Sequence, residues 1–395
     1  MPKKPLRYLL FGLLYFTQGS IMGYFTSLNA LYLKGFNLTM AQIGSIGTIA
    51  MLPFVLKIFL GMLSDKFNLL NLGHRKPYII IGLILQSIAC FIFPSIHPGT
   101  QYGLVMVCAF IMMTAMALYD TCTDGLALDT TPVEEEGSIQ GIMVGGRALG
   151  IVVVSGVIGI IAQNISWDAV FWFLAILPLL PLPIVFSIKE EPRKAEHAFE
   201  WKAFTAFKKK DVIMLGILGA AYSLIIYGAN QNVNPFLSTA YGIDLTVAGL
   251  ISMVWGIGVV IGGVAGGKLT DKIGQHNAVK VAVIASMITI LALSTINSVS
   301  LAWVLVFIFG LAFGYYETIF FAISMNLCEP KIAASMFALL MAVANIGTAV
   351  GLSLSGALAD GIGFRLTFVI FGVLNLIVLP ILPSIFKKDT TLEQN

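Results

Sequence analysis

Twelve times along this chain a run of apolar residues recurs that is long enough to cross a lipid bilayer, and no other feature limits the fold so severely. A helix needs roughly 20 such residues to span the hydrocarbon core. Inside lipid every backbone N–H and C=O has to be paired within its own segment, so runs of this kind are read as helices. They fall at 8–33, 42–64, 78–96, 102–130, 138–161, 168–188, 212–240, 246–269, 277–296, 300–327, 332–357 and 365–386. Composition agrees, with 58% of the 395 residues hydrophobic and only 11% charged, where soluble domains carry roughly 25%. The expectation is an all-α polytopic membrane protein embedded in a lipid bilayer.

A single long polar stretch, KEEPRKAEHAFEWKAFTAFKKKD at 189–211, separates an N-terminal bundle (1–188) from a C-terminal bundle (212–395). Lysine and arginine set the orientation, because they stay on the cytoplasmic side of short loops. With the N-terminus inside, 19 of the 23 basic residues fall in cytoplasmic segments; the outer loops keep Lys34 and Arg365, and Lys57 and Arg147 lie within spans. Both termini are therefore expected in the cytoplasm, on a multi-pass protein of the cell membrane. The first run is long enough to span and lacks a small-residue cleavage site, so it is expected to remain as helix 1.

Several function classes drop out. Cys90, Cys108, Cys122 and Cys328 are isolated within apolar runs, and the four histidines lie in loops or at span ends. No metal site, disulfide, cofactor or nucleophile–base constellation follows from such spacing. The basic residues form no stripe, which argues against nucleic acid. Without a Walker lysine motif, ATP hydrolysis does not drive the protein.

Charges inside the spans point the other way. A charge at the centre of an inserted helix costs about 2.5–3.5 kcal/mol, so one that remains there has a partner or a task. The segment Tyr119–Gly150 places Asp120, Asp124 and Arg147 inside two such helices, and Lys57 and Glu317 lie within two more. At 1.5 Å per residue these groups fall at comparable depths. Asp120 and Asp124 are four apart and share a helix face. Lys57 and Arg147 either bind an anionic substrate or hold fixed bridges to Asp120 or Asp124, with Asp124 expected to pair with Arg147. Asp120, Asp124 and Glu317 are the candidates for carrying a proton. Glu317 leads, because spans 7, 8, 10 and 11 offer it no basic neighbour.

The chain also repeats. Gly61-Met-Leu-Ser-Asp65-Lys66 closes span 2, and Gly267-Lys-Leu-Thr-Asp271-Lys272 closes span 8. Pro132 after span 4 matches Pro330 after span 10, and the same offset sets Asn345 opposite Arg147. This doubled G-x-L-[ST]-D-[KR] element resembles the signature of the major facilitator superfamily. That resemblance implies two pseudo-symmetric six-helix bundles around a central cavity lined by spans 1, 4, 7 and 10. The cavity would open alternately to each side, with the chain acting as a monomer. Interior charges occur only in spans 2, 4, 5 and 10, where that fold would give them water. The resemblance also implies a latch made of Gly61, Asp65, Arg75, Lys76, Gly267, Asp271 and Lys272, in which the acid after span 2 meets the N-terminus of span 11. Residues 52–79, YFTQG at 15–19 and LCEPKIAASMFALLMAVANIG at 327–347 resemble the folate–biopterin transporter family. The spacing of Asp120, Asp124, Asp129 and Pro132 is nearer that of AmpG-type muropeptide permeases and acetyl-CoA transporters.

Polar and aromatic residues complete the candidate set. Span 7 carries YGANQNVNP, in which Asn230, Gln231 and Asn234 are expected to bond a polar substrate before Pro235 breaks the helix; the alternative is an unwound gate. Gln18, Tyr24, Trp255, Tyr315 and Tyr316 are candidates to contact a planar ring, against the plainer reading that aromatic residues in membrane helices are packing. The function these observations imply is secondary active transport of a small organic anion, folate or pteridine first and a muropeptide or siderophore second. Protons are the expected coupling ion, with sodium or plain facilitation as alternatives.

Overall fold

Pro53 shows how sequence bends this molecule into shape. It has no N–H to give the carbonyl one turn back, and three residues later the second span breaks at Leu56, so that Lys57 starts a new helix deep inside the membrane segment. The computed structural model describes residues 4–69, 73–132, 135–188, 190, 203–206, 208–328 and 333–386. Within these residues the regular structure is helical throughout. Span 1 is α1 (Lys4–Ser27) continued by α2 (Asn29–Lys34), and span 2 is α3 (Met40–Val55) with α4 (Lys57–Lys66). Spans 3 to 6 are α5 (Lys76–Ile92), α6 (Tyr102–Thr130), α7 (Glu136–Asn164), and α8 (Trp167–Ile176) with α9 (Leu182–Ser187). A short α10 (Ala203–Ala206) lies in the linker, the rest of which falls mostly outside the described residues. Spans 7 to 11 are α11 (Lys210–Tyr241), α12 (Leu245–Ile273), α13 (Gln275–Leu293), α14 (Val299–Leu327) and α15 (Ala333–Ile362); span 12 is α16 (Phe364–Leu374) with α17 (Leu382–Ile385).

Among the described residues, 11 helical stretches are long and apolar enough to cross a membrane. The first expected span is not one of them. Its inner face carries Thr17, Gln18 and Ser20, all buried against protein rather than lipid, and these lower its apolar character. One buried cluster fills the first six spans and reaches Ala248 and Ala359 on α12 and α15, and a second fills the last six. Small residues bring helix backbones close within each bundle, as membrane helices require in the absence of a hydrophobic drive. A Cβ on Gly19 would lie 2.0 Å from the Arg147 carbonyl oxygen, and one on Gly347 would lie 2.1 Å from that of Ala220.

The bundles meet along α3 with α15 and α7 with α12, and the two seams repeat. On the face away from the chain termini, Gly44 abuts the Leu352 carbonyl and Gly356 that of Met40; in the other seam Gly249 abuts the Ser155 carbonyl and Gly159 that of Leu245. Polar caps repeat as well. Asp360 accepts from Met40 N (2.9 Å) and Ala41 N (2.7 Å), and Gln163 accepts from Leu245 N (3.0 Å). All these contacts relate α7 to α15 by 197 positions, one fewer than the proline offset. The N-terminal half has one more residue between its proline and the following helix contact, so Ala344, not Asn345, occupies the position matching Arg147. Toward the termini the seams part. Gly141 and Gly145 on α7 have nothing within 4 Å where a Cβ would stand. The molecule is closed on the far face and open on the face that bears its termini.

Candidate substrate site

Between the far seal and the open mouth lie the intramembrane charges, and the helix break at Leu56 sets one of them. Lys57 Nζ donates to Asp120 Oδ2 at 2.6 Å and stands 3.5 Å from Asp124 Oδ2. Asp120 also accepts from Gln18 Nε2 at 2.7 Å, so its carboxylate is enclosed. Asp124 accepts from the Tyr15 hydroxyl. The side chain of Asp120 is 4% exposed and that of Asp124 40% exposed, although both lie mid-helix on α6. Asp124 therefore faces solvent space between the bundles.

Arg147 behaves differently. Half-buried on α7, it has no ion pair or hydrogen bond among the described residues. Its electrostatic neighbours are Glu317 and Tyr227 from the opposite bundle and Asp120 and Tyr15 from its own. Glu317, on α14, accepts a long hydrogen bond from the Tyr227 hydroxyl at 3.4 Å. Each bundle thus sets a tyrosine from its first span against an acid from its fourth. Two expectations change here. Asp124 is shared by Lys57 and Tyr15 instead of pairing with Arg147, because the break at Leu56 carries Lys57 to it. Glu317 does have a basic neighbour, from the other bundle, which a search confined to its own half misses.

The span 7 amides hold the far gate. Asn230 donates to Thr26 O (3.3 Å), Asn234 to Ser27 O (2.7 Å) and Ser252 Oγ (2.8 Å), and Gln231 to Leu352 O (3.0 Å) and Ser355 Oγ (3.2 Å). Helix α11 continues through Pro235 to Tyr241, contrary to the expected break, with these cross-helix bonds fixing the turn that precedes the proline. Asn345 donates to Phe54 O at 3.3 Å, near where α3 and α15 part.

Most of the candidate ring-stacking residues are packing. Tyr24 is fully buried, bonds Asn29 and meets Phe25 and Phe171 edge-on. Tyr315 bonds the Ala278 carbonyl and Tyr316 packs on Tyr222. Their positions on α14 turn them into the C-terminal core, away from Arg147. Trp255 stands edge-on to Phe313 and borders a small cleft with Thr26, Asn230 and Asn234.

At the open mouth, Arg75 Nη1 donates to Ser64 Oγ at 2.6 Å and its Nε lies 3.4 Å from Asp129 Oδ2, tying together the ends of spans 2, 3 and 4. Lys76 Nζ instead caps the carbonyls of Phe186 and Ile188. Glu190 receives the backbone N–H groups of His74, Arg75 and Lys76, so start of span 3 and end of span 6 cap each other. The side chain of Asp65 lies outside the described residues, as does Pro330. Gly61 approaches Thr121, Gly267 stands in open contact with Thr318, and Asp271 and Lys272 are exposed. Sequence reasoning missed Tyr15 and the role of Tyr227 against Glu317. Tyr15 lies three residues before Gln18, which places both on one helix face toward the α6 acids.

Residues 9–341 match the family model described as Major Facilitator Superfamily. An Escherichia coli (strain K12) protein named anhydromuropeptide permease is 25% identical over 334 residues, covering 81% of this chain and 67% of its own. A Synechocystis protein named folate-biopterin transporter is 24% identical over 383 residues, covering 89% and 74%. The crystal structure of a bacterial homolog of the human lysosomal transporter Spinster, inward-facing and unoccupied, superposes with a TM-score of 0.79 at 18% identity, covering 96% of this chain and 97% of that one.

Proposed function

The chain belongs to the major facilitator superfamily and is a multi-pass membrane transporter, not an enzyme; from that premise we propose that it carries a small carboxylate-bearing organic solute together with protons. The observation that supports this is the contrast between the two intramembrane cations. Lys57 is held by Asp120 and Asp124, whereas Arg147 projects between the bundles with no ion-pair or hydrogen-bond partner among the described residues. A guanidinium offers a planar fork to a carboxylate, and leaving it uncommitted in a membrane is costly unless a ligand supplies the missing charge. Glu317 is the proton site in this reading, since a bound carboxylate at Arg147 takes away its counter-charge.

A folate or pteridine is the first solute class and a muropeptide the second, following the two relatives. Orientation comes from the positive-inside distribution, which sets the open face toward the cytoplasm. The test is a thermal-shift panel of folate, biopterin, a muropeptide and uncharged xylose, followed by uptake of any hit into proteoliposomes. Carboxylates are expected to stabilise the wild type, and Arg147→Ala to lose them. Glu317→Gln is expected to abolish acceleration by a pH gradient while leaving exchange of solute across the membrane. Stabilisation by xylose alone, or an unaltered pH dependence in Glu317→Gln, would overturn the reading.

A further inference from the structure

The chamber holds three carboxylates, Asp120, Asp124 and Glu317, against two cations, Lys57 and Arg147. Charges that lie inside a membrane are expected to balance, because an unmatched one is costly. Asp120 is fully used, by Lys57 at 2.6 Å and Gln18 at 2.7 Å, and its side chain is closed off. Lys57 reaches Asp124 only at 3.5 Å, and Tyr15 covers one of its oxygens. An ionised carboxylate offers about four acceptor positions, and those remaining on Asp124 face the open space. Tyr15 links this acid to the guanidinium, since its hydroxyl bonds Asp124 while Arg147 is one of its electrostatic neighbours.

Resting on the reading above, we propose that Asp124, held by Tyr15, is a second ligand subsite, which binds a protonated amine or N–H-rich nitrogen group of the same solute whose carboxylate binds Arg147. The transported class is then narrower than organic anions. Each molecule presents an acid and a nitrogen donor a short distance apart, so that its two ends satisfy the surplus acid of one position and the uncommitted base of the other. A solute with a carboxylate alone would leave Asp124 with only half of a lysine. Nothing covalent takes place, and with a solute of one ammonium and one carboxylate the charges of the bound chamber sum to one acid in excess, which a single proton on Glu317 neutralises.

Matched probes test this on the full-length protein in detergent. Folate is compared with 2-deaminofolate, and the dipeptide Ala-Glu with N-acetyl-Ala-Glu, by titration calorimetry. In the wild type the parent with its free nitrogen group is expected to bind about tenfold or more tightly than its analogue, the effect of one charge-assisted hydrogen bond. Asp124→Asn should shrink that ratio to about twofold or less, and Asp124→Glu, which keeps the charge, should preserve most of it. Arg147→Ala should weaken parent and analogue alike. Equal binding of parent and analogue to the wild type, or an unchanged ratio in Asp124→Asn, would overturn the amine subsite and leave the carboxylate reading intact. Failure of every carboxylate to bind would overturn both.

Discussion

Arg147 and Lys57 are both half-buried cations set within membrane helices, and their surroundings separate their roles. The fork of Arg147 is free, so its chemistry should depend on geometry as well as charge. Arg147→Lys is expected to raise the half-saturating solute concentration about tenfold or more, because a point charge replaces a two-point contact of about 1.5–3 kcal/mol. Flux measurements in proteoliposomes check this, and a near-normal lysine variant would place the anion elsewhere. A different residue argument holds at the open mouth, where Glu135 receives Arg7 and lies 3.5 Å from Lys4. Desolvation of its carboxyl opposes ionisation, yet the hydrogen bond and charge of Arg7, with Lys4 behind, hold Glu135 below the usual carboxylate range. A lowered folded-state value stabilises the fold above the unfolded value of about 4.3 and ceases to do so as the pH falls through the folded one. Glu135→Gln should therefore melt earlier than wild type at neutral pH, and the difference should shrink as the pH falls below about 4.3 and vanish once it has passed the lowered folded value. At this scale the sequence disclosed which spans carry charge, because lipid makes such residues conspicuous. It hid the partners. Lys57 reaches Asp124 only through the break that Pro53 induces, and Glu317 meets Arg147 only across the space between two bundles.

Among the elements, the paired seams of the far gate are the ones built for close approach. A Cβ on Gly249 would stand 2.6 Å from the Ser155 carbonyl oxygen and 2.9 Å from the Gly159 Cα, so no side chain fits while α7 and α12 are shut. Gly249→Val is expected to hold that seam apart and favour the state open on the far face. The seam of α3 with α15 is held differently, by the Asp360 carboxylate on two N–H groups at the start of α3. Losing a helix N-terminal cap costs about 0.5–2 kcal/mol, so Asp360→Ala should shift the balance in the same direction by roughly fivefold, a smaller effect than the steric block. The four native cysteines are buried, so a cysteine introduced at Thr26 can report the gate. Its labelling by an impermeant maleimide from the far side should rise in both variants, most in Gly249→Val. Equal labelling in wild type and Gly249→Val would mean that this seam does not control the gate. The repeat that locates these seams was readable from the doubled Gly–Asp element, but its register was not. One extra residue after Pro132 moves the correspondence by a position, and no local pattern records it.

For the whole molecule, apolar run lengths located every span after the first, since a bilayer of fixed thickness admits few other solutions, whereas the polar face of α1 leaves it short of the apolar character of the other 11. Which aromatic residues face the pathway was not readable in that way. Tyr24, Tyr315 and Tyr316 lie on the cavity-lining spans of the superfamily, yet rotation about each helix axis turns them into the cores. That rotation is set by glycine contacts between neighbouring helices, which single-span periodicity does not encode. Opening at one face and closure at the other make a last prediction at this scale. Gly145 on α7 stands clear of α12, while Asn230 is locked to α1 by its bond to Thr26. Without solute, a cysteine at position 145 should react readily from the face that carries the termini, and one at 230 should react slowly from the other. If solute moves the bundles by rocking about a site bounded by Arg147 and Asp124, a saturating ligand should slow the first reaction and quicken the second in the same concentration range. Because one rigid-body change alters both positions, their half-maximal concentrations should coincide, and Arg147→Ala should shift the two together. Independent responses at positions 145 and 230 would mean that each gate moves alone, and that the seams do not act as the two ends of one tilting motion.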